Sequence, residues 1–473
     1  MSSTQENAKF IEHISCGAIS SAKTSASFKK LCVSPILGLY KYYTPHNINL
    51  GGGMPQEACF PFQSMTVQLN ENDSYKLTKG DDLYLNYHVC DGLAPLKAWA
   101  TDHVKTLHRP HHPFQLSITV GATDTWYKII EMMNTECVLF DQYVYGASVT
   151  PCNTMGKRSI GVPSDSCGII PSALRETVLV AREKGFVVDL LYMIPVGHNP
   201  MGVTMPLERK KDIYAVCQEL DLIIVEDDAY YYLYYPGEEL PGVRDLPKSM
   251  LSLDTDGRVI RIDTVAKFIC PGIRLGWVSA PPDFIAKYVL LQSQSSLVPS
   301  SISQSVMLGL VNHWGEEGLH NHLQSLQAHY RRQRDVFASA LEQYIPAGLC
   351  TYTLPTGGMF FWLSFPTLAH LSTQHVFEAF AAADVIVAPG PTFYVPGIFE
   401  QLEAGATPNE PCAGVSGSAV GDEKVRAALR VPPVKFPCVR ACYAAVGADK
   451  IVEAVRAMAQ VVVSLHDNVA GPK

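Results

Sequence analysis

Charge is sparse in this chain. Only 17% of its 473 residues are Asp, Glu, Lys or Arg, while 47% are hydrophobic. The net charge of -8 is spread along the chain rather than gathered in a tail, which excludes the basic footprint of a nucleic-acid binder. No apolar run approaches the roughly eighteen residues that a membrane helix needs. The 13 cysteines are odd in number and scattered, with no C-x-x-C pair. In a chain this long, that argues for reduced thiols and a cytoplasmic setting rather than a disulfide framework. Residues 1–30 have no apolar signal core, against a secretory signal; Glu6 and Glu12 count against a transit peptide, which stays an open reading. A metal centre is not expected either. His108, His111 and His112 in LHRPHHP have no Cys or carboxylate at ligand spacing and read as a solvated loop. Gly51-Gly-Gly-Met-Pro55 is not a phosphate loop, because no Gly-Lys-Ser/Thr follows.

What is present is a series of short apolar runs alternating with helix-like stretches. Phe114–Val120 precedes a helical segment over Ala122–Met133, and Val187–Ile194 precedes another over Pro206–Leu220. Leu222–Val225, Val259–Asp263 and Leu275–Ala280 continue the strands. Strands buried on both faces and separated by helices predict an α/β fold with a mostly parallel sheet. After about Leu326 a long helical stretch leads into TGGMFFWLSF and mixed α+β material. A final helix is expected from Ala448 to Leu465, and residues 396–437, rich in Gly, Pro and Ala, read as the longest irregular stretch. The expected domains are an N-terminal arm with part of a small domain (1–60), a large cofactor-binding domain (61–335) and a C-terminal small domain (336–473).

Three segments carry chemistry. Asp263-Thr-Val-Ala-Lys267 ends a buried strand, and Arg274 follows seven residues on. A lysine amine there suits a Schiff base with an aldehyde cofactor, and Thr264 and Arg274 suit its phosphate; the bland reading is a solvated lysine loop. Leu222-Ile-Ile-Val-Glu-Asp227-Asp-Ala-Tyr230 ends another strand in a carboxylate and a phenol. The carboxylate would keep a pyridine nitrogen protonated, though an Asp at a strand end is also a common helix cap. Asn199-Pro-Met-Gly202 is a turn at the carboxyl edge of the sheet, where open α/β folds bind ligands, or simply a turn. Gly121-Ala122-Thr123, between a strand and a helix, could offer backbone N–H groups to a phosphate.

Taken in order, Gly121-Ala-Thr, Tyr145, Asn199-Pro-x-Gly, Asp227-x-x-Tyr230, Lys267, Arg274 and Arg440 resemble the fold-type I, class I aminotransferases. The subgroup most similar is that of the aromatic, 2-aminoadipate and kynurenine aminotransferases. Further matches are Glu226-Asp-Asp-Ala-Tyr-Tyr231, His313-Trp-Gly-Glu-Glu-Gly318, Gly357-Gly-Met-Phe360 and Pro389-Gly-Pro-Thr-Phe-Tyr394. The resemblance runs from about residue 34 to the C-terminus. It implies pyridoxal 5'-phosphate held by Lys267 as a Schiff base, with Asp227 at the ring nitrogen and Asn199 and Tyr230 at the ring oxygen. Tyr145 would stack on the ring, and Ala122, Thr123, Thr264 and Arg274 would hold the phosphate. A homodimer is implied, in which Tyr87 reaches the partner's phosphate. Arg440 would clamp the substrate α-carboxylate, and the Gly-Gly-x-Pro turn at Gly53 would face the substrate.

The pattern is not followed everywhere. Ala122-Thr123 stands where the family usually has Ser-Gln, and Thr264-Val-Ala266 where it has Ser-x-Ser, so phosphate hydroxyls are missing or moved. Tyr394 and Arg440 are unusually far apart, as if the intervening stretch were an insertion. Where aminoadipate-like relatives have Ser-Pro-Ile-Arg, this chain reads Ser34-Pro-Ile-Leu37. Leucine cannot pair a distal carboxylate, and an unpaired buried one is costly. Aromatic or large apolar amino donors, kynurenine among them, are therefore expected, with a 2-oxo acid acceptor. The arm's other reading is packing between subunits. The weighed alternatives are a 2-aminoadipate aminotransferase and a carbon–sulfur lyase of the same fold. A non-enzymatic regulator would carry a winged helix, for which the residues before Ser34 are too few.

Overall fold

In the computed structural model, the described residues are 53–407, 423–429 and 436–470, with 23–25, 28, 42, 46, 48 and 50–51. Two compact units interleave along the chain. The first comprises Met1–Asn134, Val225–Ala229 and Ser249–His322, the second Thr135–Ile224, Tyr230–Lys248 and Leu323–Lys473.

The fold opens with an antiparallel hairpin, β1 (Ser64–Asn70) and β2 (Asp73–Thr78). The central strands are β3 (Gln115–Thr119), β4 (Cys137–Asp141) and β5 (Arg158–Val162), then β8 (Val188–Met193), β9 (Ile223–Asp227), β10 (Val259–Thr264) and β11 (Gly276–Ala280). A small ribbon, β6 (Ser164–Asp165) with β7 (Gly168–Ile169), lies between β5 and β8 in the chain. The order in the seven-stranded sheet is β3-β11-β10-β9-β8-β4-β5. β4 runs parallel to β5 and β8, whereas β11 is antiparallel to β3 and β10. The strands expected from apolar runs are present, and all residues of β4, β10 and β11 are buried. A second sheet, β12 (Phe360–Ser364), β14 (Cys438–Cys442) and β13 (Ala388–Pro389), is antiparallel. It packs in the second unit's core around Phe337, Phe361, Phe380, Val439, Tyr443 and Val455.

Several elements depart from expectation. The long helix spans Ser301–Tyr344, starting well before Leu326. Its non-helical point is Gly315 (φ 61°, ψ -167°), a conformation that glycine adopts without a Cβ clash. The last helix runs to Ala470. The 396–437 stretch is not irregular throughout, since it contains helices Ile398–Glu403 and Glu423–Leu429. Arg426 on the latter meets Glu176 at 2.9 Å and Glu183 at 2.6 Å. His108 is not in a solvated loop. It ends helix Ala94–His108 and is buried.

Candidate active site

In the first unit, strand register assembles a cluster around Lys267. Thr264, the last residue of β10, pairs with Gly276, and Gly276 pairs with Thr119 near the end of β3. The segments just beyond these positions, Val265–Lys267, Arg274 and Gly121, therefore emerge side by side. Lys267 sits half-buried in the turn after β10, with no hydrogen bond or ion pair among the described residues. An amine so placed is open to a carbonyl.

Gly121 caps helix Ala122–Met132 at φ 110°, and a Cβ there would lie 3.0 Å from Arg274 Nη2. The missing side chain lets the guanidinium approach the helix N-terminus, whose free N–H groups and dipole favour an anion. Thr264 Oγ1 accepts from Ala266 N (3.3 Å), fixing the hydroxyl beside that cradle. A glycine-opened helix terminus, a guanidinium and a hydroxyl fit a phosphate, and a nearby free lysine fits the aldehyde of the same molecule.

β9 and β10 divide their side chains between two faces. On one face Arg261, fully buried, meets Glu226 at 3.1 Å, Asp228 at 3.0 Å and Asp263 at 2.8 Å. Glu226 also accepts from Met250 N and Leu251 N. Burial pushes the Asp263 carboxyl above its ordinary range, against the pull of Arg261. Alternation then puts Asp227 and Thr264 on the opposite face. Asp228 is thus committed to Arg261, while Asp227 shares its face with the phosphate-side threonine. Sequence reading did not single out Arg261, because nothing in the Val259–Asp263 run points to the three carboxylates it meets.

In the second unit, Asn199 is the centre. Arg440 Nη1 donates to Asn199 Oδ1 (2.8 Å), and Asn199 Nδ2 donates to Tyr230 Oη (3.4 Å). Arg440, on β14, lies with Cζ 4.4 Å from the Phe360 ring centre and 4.8 Å from that of Phe393. Its Nε is buried and has no hydrogen-bond partner among the described residues. Burial lowers the guanidinium pKa from its ordinary value, but arginine stays charged. A desolvated fork with donors to spare suits a carboxylate. Trp362 contacts Phe393 and Tyr143, making the surroundings aromatic. The Asn199 loop needs Gly197 (φ 57°), where a Cβ would meet Gly358 N at 2.4 Å.

Tyr145 caps helix Gly146–Thr154 with its ring exposed. Tyr87 is exposed too, as is Gly53. Ala122 and Thr123 open their helix, as expected. Leu37 lies outside the described residues.

The family model for aminotransferase class I and II matches residues 61–404. An aromatic amino acid aminotransferase of Schizosaccharomyces pombe is 30% identical over 351 residues, covering 67% of this chain and 75% of its own. The mitochondrial kynurenine/alpha-aminoadipate aminotransferase of Rattus norvegicus is 31% identical, covering 74% and 84%. Among solved structures, the Candida albicans aminotransferase Aro8 superposes with a TM-score of 0.81 at 25% identity, covering 94% of this chain and 98% of its own. The chain belongs to the class I and II aminotransferases and is a pyridoxal-phosphate-dependent transaminase.

Proposed function

We propose that this transaminase moves amino groups from amino acids with aromatic or large apolar side chains, kynurenine among them, to a 2-oxo acid such as 2-oxoglutarate. It would act in the cytoplasm as a homodimer. Residues 61–335 would form its cofactor-binding domain, with 1–60 and 336–473 contributing the smaller part. Bound at Lys267, pyridoxal phosphate supplies a ring that draws electrons from the substrate Cα. Asp227 holds the ring nitrogen protonated. Gly121-Ala122-Thr123, Thr264 and Arg274 hold the phosphate, and Tyr145 orients the ring plane. Asn199 and Tyr230 donate to the ring oxygen. Lys267 would move the proton at the substrate Cα. Arg440 binds the α-carboxylate, while Gly53 and Leu37 face the rest of the substrate. Tyr87 serves the phosphate of the other subunit, so that neither subunit is complete alone.

The observation that carries the reading is Lys267, a half-buried amine without a partner among the described residues, beside a cradle suited to phosphate. Borohydride reduction of the holoenzyme should attach the cofactor to Lys267, and Lys267→Ala should fold yet lose transamination. Label on another lysine overturns the assignment. A fully active monomer at assay concentration defeats the shared-site part. The second reading, a preference for 2-aminoadipate, draws on the name of the rat relative. A carbon–sulfur lyase would release no amino acid from an added 2-oxo acid, and amino-acid product would dispose of it.

A further inference from the structure

One pair of buried ionisable side chains beside the second cluster has no part in the reading above. Asp141 ends β4 and His198 lies in the loop after β8. These strands are parallel neighbours, so their carboxyl ends bring the two residues together. His198 Nε2 lies 3.4 Å from Asp141 Oδ2, and both side chains are 4% exposed. The other carboxylate oxygen, Oδ1, accepts from Ser164 Oγ at 3.0 Å. Neither ring nitrogen of His198 has a hydrogen-bond partner among the described residues, so its tie to Asp141 is the close approach of Nε2 to Oδ2.

The position of this pair matters. The chain leaves β4 through Asp141 and reaches Tyr145 four residues on, and it leaves β8 through His198 and reaches Asn199 at the next residue. The backbone around His198 is already tied: its N–H donates to Val203 O (2.8 Å), and its carbonyl accepts from Gly202 N (2.7 Å). That closes the turn on itself but not onto β4. The side-chain pair is the link between the turn and the end of the neighbouring strand.

We propose that Asp141 and His198 are positioning residues for transamination: their buried side-chain contact holds the Asn199 turn to the end of β4. Asn199 is thereby held where it meets both Arg440 and Tyr230. A side chain enclosed in a close-packed interior keeps one orientation. An amide that serves two partners loses both when its backbone shifts by a fraction of an ångström. This inference rests on the reading of Asn199 as a ligand of the cofactor ring oxygen.

The test uses the holoenzyme and the variants Asn199→Ala, His198→Gln, Asp141→Asn and the double variant His198→Gln/Asp141→Asn. Three quantities are read for each: the visible absorption band of the lysine-bound cofactor with its pH midpoint, KM and kcat for one donor, and thermal unfolding. Asn199→Ala serves as the reference. If it leaves both the band and KM unchanged, the reading of Asn199 is wrong and the inference goes with it. If it shifts them, His198→Gln and Asp141→Asn should shift the band in the same direction. Each should also raise KM about tenfold, the scale on which supporting residues act, with a smaller effect on kcat. The double variant should be no worse than either single one, because the two act as a unit. Variants that lose stability with the band and KM unmoved overturn the proposal, and so does failure of both single variants to fold, since the pair is then a structural one.

Discussion

Arg261 Nη1 lies 3.0 Å from Asp228 Oδ2, with neither side chain exposed, whereas Asp227 is left on the other face of the same strand end. Two adjacent aspartates are thus given different work by strand alternation alone. Asp227→Ala should fold like the wild type and lose several orders of magnitude in turnover. Asp228→Ala should do the reverse: turnover per folded molecule is kept, and stability falls by about 1–3 kcal/mol, the scale for losing a buried charge-assisted hydrogen bond. Chemical denaturation and single-turnover rates for both variants decide it. Near-wild-type turnover in Asp227→Ala would move the ring-nitrogen role elsewhere.

Gly121→Ala tests the phosphate cradle. The substitution puts a methyl 3.0 Å from Arg274 Nη2 at a φ of 110°, a strained conformation costing about 1–3 kcal/mol for a residue with a Cβ. The expected result is weaker cofactor retention, read by dialysis against buffer and titration with pyridoxal phosphate, with the fold preserved. Unchanged retention would remove this loop from the phosphate site.

His103 supplies a dependence on pH. Burial, and then the charge of Arg261, push its imidazole from 6.5 down to about 4. The unfolded chain takes up the proton first as pH falls, so stability present above pH 6.5 is lost progressively down to about 4. His103→Phe, which keeps an aromatic ring against Trp99 and Trp277, should flatten the decline of thermal stability across that window. An unchanged slope assigns the acid sensitivity to other groups.

Substrate choice is tested with phenylalanine, tyrosine, tryptophan, kynurenine and 2-aminoadipate against one shared acceptor. We expect higher kcat/KM for the aromatic donors, and a gain for 2-aminoadipate in Leu37→Arg, because an unmatched second carboxylate is strongly selected against. A wild-type preference for 2-aminoadipate would sink the idea. No response to the arginine would show that the arm is remote from the bound side chain.

The central strands were readable because burial on both faces makes an unbroken apolar run, and the residues at their carboxyl ends stood out against it. Asp227, Lys267, Asn199 and Gly121 were singled out as candidates that way. Other features left weaker traces. Apart from the buried Leu77, the β1–β2 hairpin alternates exposed with half-exposed residues, so its apolar signal is thin. Residues 301–325 are helical despite Gly315 and scattered polar positions, since packing overrides local preference. His198 reads as part of a turn, and nothing in its neighbours points to a partner some 57 positions earlier.

The interleaving of the first unit also bears on how the chain matures during synthesis. Tyr75 of the early hairpin donates to Val306 O at 2.7 Å, and Tyr84 N donates to Ser305 Oγ at 3.0 Å. Both partners leave the ribosome more than two hundred residues after the groups that await them. Contacts of such sequence separation close late. While translation continues, the hairpin's half-apolar face stays uncovered, a period in which chaperones compete with aggregation.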